Sequence, residues 1–210
     1  MAQDIILVNE QDEEVGYGEK MEVHKNKLLH RAFSIFIFDW STHKLLLQKR
    51  AHGKYHSGGL WTNACCSHPR KNETMEVSLN ARLKEELGMD TDFHIVDPAE
   101  CGLLIDDRDT IYSCGKFTYF ADFGEVSEHE IDHVFLYSPY YGTARVPENA
   151  FSPDEVEELK WVSVGELKEW LAQKPEEFTA WFSSAFALAY DVLCRQARDI
   201  DMFFGFVGQL

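Results

Sequence analysis

Hydrophobic positions recur along this chain with two periods, one typical of strands and one typical of helices. Runs rich in β-branched, aliphatic and aromatic residues predict strands at residues 4–9, 31–40, 44–50, 61–67, 93–104, 111–120, 129–137 and 159–162. Apolar residues at three- and four-residue steps predict a helix over residues 75–87, with Thr74 as N-cap and Gly88 just past its end. Two later helices are predicted over residues 164–173 and 179–197.

Strands interrupted by a few helices in this order favour an α+β fold, an α/β/α sandwich in which a mixed β-sheet lies between helices. No break in composition divides the chain, so we expect a single domain over residues 1–197. Residues 198–210 form a tail with an apolar end, to which the sequence assigns no role. We expect a monomer or a homodimer.

The chain is strongly acidic, which limits its partners. It carries 20 basic and 36 acidic side chains, for a formal net charge of −16. We therefore expect neither a nucleic acid nor a membrane as a partner, because both present negative charge. An anionic small-molecule substrate would need a local group of basic residues or a metal ion.

Cysteine usage and hydropathy favour the cytoplasm. The 210 residues include five cysteines, an odd number without paired spacing, so we expect reduced thiols. The N-terminal stretch is acidic and unlike a signal peptide. The longest apolar run, residues 33–38, is too short to cross a bilayer.

Residues 60–89 concentrate the candidate chemistry. Cys66 and His68 are two apart in a predicted strand, so their side chains should share one face. Glu85 and Glu86 lie in the last turn of the predicted helix, where the helix dipole disfavours negative charge. Such a locally unfavourable pair indicates a bound cation that compensates for it.

Two further polar pairs lie outside that segment. Glu128 and Glu130 are two apart at the start of an apolar strand and should share a face, although solvated acids at a strand end are an equally weighted alternative. His24 and His30 are six apart on a segment expected to be extended or looped. They could converge on a metal, but two surface histidines are the commoner case.

The acids around the predicted helix resemble the Nudix box, in which glycine, glutamate and arginine recur at fixed distances. The matching positions are Glu73, Glu85, Glu86, Gly88 and Met89. The departures are Ser67 for the first glycine, Ala81 for the arginine, and Arg82 for the glutamate that follows. A Nudix hydrolase uses that glutamate to bind metal, so Arg82 argues against ordinary pyrophosphate cleavage.

Residues 62–69, TNACCSHP, are similar to the Thr-Asn…Cys-x-His-Pro motif of type I isopentenyl-diphosphate isomerases. That is a Nudix-fold family that has lost hydrolysis. The resemblance extends roughly from Asp4 to Trp181. It implies the Nudix version of the α+β sandwich, conversion of isopentenyl diphosphate into dimethylallyl diphosphate, and no flavin.

The resemblance also implies two metal sites. The first would be held by His24, His30, His68, Glu128 and Glu130, a ligand set that suits manganese or magnesium, with zinc as the rival. The second would be a magnesium ion held by Glu86 and by the diphosphate of the substrate. The basic residues implied to contact that diphosphate are Lys20, Arg50, Lys54 and Arg82.

The implied reaction moves a proton between two carbons through a carbocation-like intermediate, and it needs an acid and a base on opposite sides of the substrate. By resemblance, Glu130 with Tyr119 is the acid, Cys66 is the base as its thiolate, and Trp181 faces the cation. Cys65 alternates with Cys66 along the strand, so we expect it to be buried and inert.

Two alternatives compete with this interpretation. A Nudix hydrolase acting on a nucleoside diphosphate derivative would need the glutamate that Arg82 replaces, and it has no use for Cys66. A non-catalytic metal- or diphosphate-binding module would not need Cys66, Tyr119, Glu130 and Trp181 to be present together. Both observations favour the isomerase.

Overall fold

The computed structural model describes residues 4–98, 109–140, 143–147 and 150–204. The strands are β1 (Asp4–Val8), β2 (Glu14–Glu19), β3 (His30–Asp39), β4 (Lys44–Arg50), β5 (Trp61–Thr62), β6 (Cys65–Ser67), β7 (His94–Val96), β8 (Thr110–Asp122), β9 (Ser127–Tyr137) and β10 (Val156–Ser163). The helices are α1 (Lys20–Lys25), α2 (Met75–Leu87), α3 (Val164–Gln173) and α4 (Phe182–Phe204), with a 3₁₀ turn at Pro175–Glu177.

The strands form a mixed sheet whose main path runs β10-β4-β3-β9-β8-β7. The pairs β3–β9 and β7–β8 are parallel, whereas β8–β9, β3–β4 and β10–β4 are antiparallel. His30 on β3 is opposite Glu130 on β9, and Tyr119 on β8 is opposite the same glutamate. This register places three candidate site residues side by side on neighbouring strands.

Helices cover both faces of the sheet. On one face, α2 buries Leu79, Leu83 and Leu87 against the strands. On the other face, α3 and α4 bury Leu167 and Phe182, among others. Full burial of each such side chain is worth about 1.5–3 kcal/mol. The predicted α+β sandwich with a mixed sheet between helices is confirmed.

The caps that the sequence predicted for α2 are present. The Thr74 hydroxyl accepts a hydrogen bond from the backbone N–H of Val77. Gly88 has a φ of 67°, and a Cβ at this position would lie 2.8 Å from the carbonyl oxygen of Ala150. Both the left-handed backbone and this close approach therefore require glycine at the end of the helix.

The single strand predicted over residues 61–67 is in fact two. β5 pairs with β4, whereas β6 pairs with β3, so the chain changes partners between them. The Asn63 side chain lies at this break and donates to the carbonyl oxygens of Ile35 and Cys65, at 3.3 and 2.5 Å. Alternation of side chains in the sequence does not reveal such a change of partner.

Other boundaries also differ from the prediction. His24 lies on the helix α1 and not on an extended segment. β9 begins at Ser127, so Glu128 and Glu130 lie within the strand. Of the strand predicted over residues 93–104, the described part is β7, and residues 99–108 lie outside the described ranges.

The last helix is shifted relative to its prediction over residues 179–197. It begins at Phe182, directly after Trp181, and continues to Phe204, into the predicted tail. Residues 205–210 lie outside the described ranges. No helix in the described part of the chain is both long and apolar enough to cross a membrane.

Candidate functional site

A pocket lies where β3, β9 and the end of β6 meet, beside α1 and the loop 51–60. The predicted site residues that line it are Lys20, Arg50, Lys54, Cys66, His68, Arg82, Tyr119, Glu128, Glu130 and Trp181. His24 and His30 are fully buried next to Glu128 and Glu130. Cys66 and His68 both line this pocket, but so does Ser67 between them, and His68 follows the end of β6, so the shared face expected from their spacing stays a prediction.

Three histidines and two glutamates converge at one end of the pocket. One ligand atom from each lies within 4.8 Å of all the others, and the residues are His24, His30, His68, Glu128 and Glu130. They come from α1, β3, the residue after β6, and β9. The structure thus brings together the five residues that the resemblance implied for the first metal.

Backbone contacts orient two of these rings. His24 Nδ1 lies 2.5 Å from the carbonyl oxygen of Lys20, and His30 Nδ1 lies 2.8 Å from that of Leu28. A carbonyl only accepts hydrogen bonds, so each Nδ1 carries the hydrogen and each Nε2 is free to accept or ligate. Both Nε2 atoms face Glu128, at 3.1 and 3.7 Å from its Oε2.

The cluster fits a divalent metal ion. His30 Nε2 and Glu128 Oε2 are buried, and no well-aligned hydrogen bond reaches either atom from the described residues. Burial lowers the pKa of His30, but contacts with Glu128 and Glu130 outweigh it and raise that pKa to about 9. The two carboxylates thus favour a positive charge at this place, which a bound cation would also supply. Imidazole nitrogens and carboxylate oxygens together suit such an ion.

Glu130 is held from two sides. The Tyr119 hydroxyl donates to Glu130 Oε2 at 2.6 Å, and His68 Nε2 lies 2.7 Å from Oε1. Burial, and then the negative charge of Glu128, raise the pKa of Glu130. Burial likewise raises the pKa of Tyr119 well above its usual value. This carboxyl is therefore suited to carry a proton, with a neutral phenol as its donor.

The sulfur of Cys66 lies beside the positively charged Arg50 but is buried away from solvent. Arg50 Nη1 is 3.6 Å from its sulfur. Burial raises the pKa of Cys66 to about 12, and Arg50 only partly opposes this. The group is therefore a thiol in this state, so the expected thiolate requires further positive charge. Cys65 is fully buried, as expected, and it packs in an apolar cluster with Glu86 also in contact.

Trp181 forms part of the pocket wall. Its side chain is buried, and its indole N–H donates to the Asn63 side-chain oxygen at 3.2 Å. The Arg50 guanidinium lies 5.5 Å from the indole ring, and the Tyr119 ring centroid is 6.2 Å away. The hydrogen bond fixes an electron-rich face at the pocket, which is suited to a positive charge.

The four basic residues line the pocket but are partly engaged by acids. Lys54 pairs with Glu155. Arg82 donates to Glu86 at 2.6 Å and also contacts Glu85. Burial and the charge of Lys54 lower the pKa of Lys20. The acids that looked unfavourable at the helix end are thus compensated by Arg82.

Glu86 is not among the residues that line the pocket. It is buried, and Gln48 Nε2 lies 3.3 Å from its second oxygen. Magnesium binding by Glu86 stays a prediction, and it requires the Arg82 contact to rearrange.

Sequence reasoning missed several residues of the pocket wall, namely Ser34, Tyr55, His56 and Asp132. Asp132 is buried and accepts a hydrogen bond from Ser34 at 2.8 Å. Its spacing could have revealed it, because it continues the same-face series of Glu128 and Glu130. No signal in the sequence singles out His56.

Comparisons with known proteins agree with this geometry. The NUDIX domain model matches residues 28–182. A protein of Aromatoleum aromaticum named isopentenyl-diphosphate Delta-isomerase 2 is 40% identical over 185 residues, covering 88% of this chain and 85% of that protein. The isopentenyl-diphosphate Delta-isomerase of Photobacterium profundum is 38% identical, covering 91% and 97%.

This chain belongs to the isopentenyl-diphosphate Delta-isomerase family, within the NUDIX fold. Solved structures support the fold. DR0079 from Deinococcus radiodurans has a TM-score of 0.59 and 17% identity, covering 89% of this chain and 97% of its own. The cluster is compatible with a divalent metal.

Proposed function

We propose that this protein interconverts isopentenyl diphosphate and dimethylallyl diphosphate by protonation and deprotonation. The observation that carries the proposal is that the Glu130–Tyr119 pair and Cys66 line one pocket. β6 and β9 pair with opposite edges of β3, so Cys66 and Glu130 enter the pocket from two sides. This arrangement suits an acid and a base that act on opposite faces of a small alkene.

In the forward direction, Glu130 gives a proton to the terminal carbon of the alkene, with Tyr119 as its hydrogen-bond donor. Positive charge develops on the tertiary carbon, where the indole of Trp181 stabilises it. Cys66 then removes a proton from the carbon next to the alkene. One proton enters the substrate and one leaves it, so each turnover ends with Glu130 as the anion and the proton on Cys66, and the proton returns to Glu130 before the next turnover. Burial of the pocket protects the cation from water, which would trap it as an alcohol.

Cys66 must be a thiolate to act as the base, and its burial opposes this. Arg50 at 3.6 Å supplies part of the required positive charge. The positive charge that develops on the substrate supplies more, since positive charge near the sulfur favours the thiolate over the thiol. Arg50 is therefore proposed to serve both the sulfur and the diphosphate.

The metal ions belong to the same proposal. We assign manganese or magnesium, with zinc as the rival, to His24, His30, His68, Glu128 and Glu130, and a magnesium ion to Glu86 and the diphosphate. Bound there, these ions would supply positive charge that holds Glu130 in place and neutralises the diphosphate. The ligand atoms within 4.8 Å support the first assignment.

Diphosphate binding would use the four basic residues of the wall, Lys20, Arg50, Lys54 and Arg82. Lys54 would exchange its contact with Glu155 for one with a phosphate oxygen. An otherwise acidic protein could thus hold an anion locally.

We further propose that residues 1–197 form one catalytic domain. We also propose that it works in the reducing cytoplasm, since the four cysteines among the described residues are free.

Proton NMR in heavy water tests this function. The purified protein is mixed with isopentenyl diphosphate, magnesium and manganese, with no flavin. Dimethylallyl diphosphate carrying deuterium is the expected product. Unchanged starting material with a metal-loaded protein would refute the isomerase. Release of phosphate or isopentenol would instead support a hydrolase.

A further inference from the structure

His56 is a buried residue that approaches the His/Glu cluster from outside it. It lies in the loop 51–60 and is 7% exposed. Its Nε2 is 2.5 Å from Glu128 Oε1. The other oxygen of that carboxylate, Oε2, faces His24 at 3.1 Å and His30 at 3.7 Å. One oxygen therefore faces the cluster, and the other is held by His56.

The hydrogen-bond partners fix the donor of this contact. His56 Nδ1 lies 3.1 Å from the Ser57 hydroxyl, which can donate to it. A carboxylate can only accept, so a hydrogen shared across the 2.5 Å contact between His56 Nε2 and Glu128 Oε1 comes from the imidazole. His56 is thus an N–H donor to Glu128, and its ring has a polar partner at each nitrogen.

Aromatic packing keeps the His56 ring in place. It stacks on Phe123 at 4.8 Å between centroids and 17° between planes. Phe123 lies in the turn that joins β8 to β9, the hairpin carrying Tyr119 and Glu130. The ring also packs edge-on against Tyr55 at 4.6 Å and Trp181 at 6.0 Å. The His56 ring therefore lies at a contact between the loop and the hairpin.

We propose that His56 is a positioning residue. It holds Oε1 of Glu128 and so leaves Oε2 directed at the cluster, where it would be available to a metal ion. Without the N–H, the carboxylate can rotate about its last bond. Metal binding must then fix its orientation, and this loss of conformational freedom weakens the affinity. Partners that orient metal ligands in this way typically contribute about 10–100-fold in metal affinity. The inference rests on the metal site of the proposed function and not on the isomerase reaction.

Two substitutions separate the hydrogen bond from the packing. His56→Phe keeps an aromatic ring against Phe123 and Trp181 but has no N–H. His56→Gln keeps an amide N–H near the position of Nε2. The metal-free proteins are compared in thermal unfolding to establish that each is folded. Manganese affinity, without substrate, is then measured by competition with a chelating dye.

We expect His56→Phe to bind manganese about 10–100-fold more weakly than the unsubstituted protein, and His56→Gln to recover most of that loss. Equal manganese affinity in all three proteins would overturn the proposal, as would equal losses in both variants. Isomerase activity is scored separately, so failure of that reaction does not affect this result.

Discussion

The phenol of Tyr119 and the carboxylate of Glu130 lie directly opposite each other on β8 and β9, with 2.6 Å between Oη and Oε2. Burial raises the pKa of Tyr119 well above its usual value, so the phenol keeps its proton and donates. A neutral donor at this distance favours the glutamate anion that is left after the proton has moved to the substrate.

Replacing Tyr119 by phenylalanine should therefore slow turnover more than it weakens substrate binding. We expect kcat to fall by about 10²-fold, the lower range for a general acid–base contribution, with little change in KM. Steady-state kinetics on isopentenyl diphosphate measure both constants. Tyr17→Phe is the matched control, since Tyr17 also bonds to a glutamate, Glu14, but lies on β2. Normal kcat in Tyr119→Phe would contradict the assigned role.

The adjacent cysteines offer a matched pair. Cys66→Ala should reduce turnover by about 10²- to 10⁴-fold, because the proposed base is removed, while metal content stays unchanged. Cys65→Ala should keep turnover and lower the melting temperature, because Cys65 packs in the core. Elemental analysis, kinetics and thermal unfolding distinguish the two. Full activity in Cys66→Ala would remove the proposed base.

The two glutamates at the end of α2 also form a pair. Glu86→Gln should raise the magnesium concentration needed for half-maximal rate by about 10–100-fold, since a carboxylate of the proposed magnesium site is lost. The histidine cluster should still bind manganese. Glu85→Gln is the control, because Glu85 contacts Arg82 but its side chain is about half exposed. Identical magnesium dependence in both variants would argue against Glu86 as a ligand.

Stability should depend on pH through a cluster on the other side of β9. Asp12 contacts Arg31, Lys116 and His133, each at 2.8 Å. Burial lowers the pKa of His133 below its usual value, although Asp12 opposes this. As pH falls below about 6.5, the unfolded chain takes up this proton and the folded protein resists it. The free energy of unfolding should therefore decrease from pH 7 towards pH 5.5.

Urea unfolding of His133→Gln isolates this contribution. The difference in unfolding free energy between the two proteins should change between pH 7 and 5.5, with the unsubstituted protein losing more. The same substitution at the exposed His94 serves as the control. A constant difference across this pH range would show that His133 does not contribute.

Local features of the fold could be predicted from the sequence, and long-range ones could not. The caps of α2 depend on Thr74 and Gly88, which act within one turn of the helix. The contact of Lys54 with Glu155 joins residues 101 positions apart, and no local sequence pattern predicts it.

The site shows the same division. Its histidines and glutamates were implied by a family resemblance, because single motifs were too weak to choose between ligands and surface residues. His56 lies in a loop, and its ring stacks on Phe123, far along the chain. Its approach to Glu128 is a product of tertiary packing, which sequence spacing does not encode.

The parallel register of β3 with β9 bears on how the protein is made. His30 is opposite Glu130 across this pair, so 100 residues of chain separate two members of the metal cluster. A nascent chain that has emerged only as far as β8 has all three histidines and neither carboxylate. The cluster is complete only after β9 has emerged and paired with β3, a non-local pairing of a kind that typically forms slowly. Metal that binds only the finished cluster would then stabilise the folded product and not the incomplete chain.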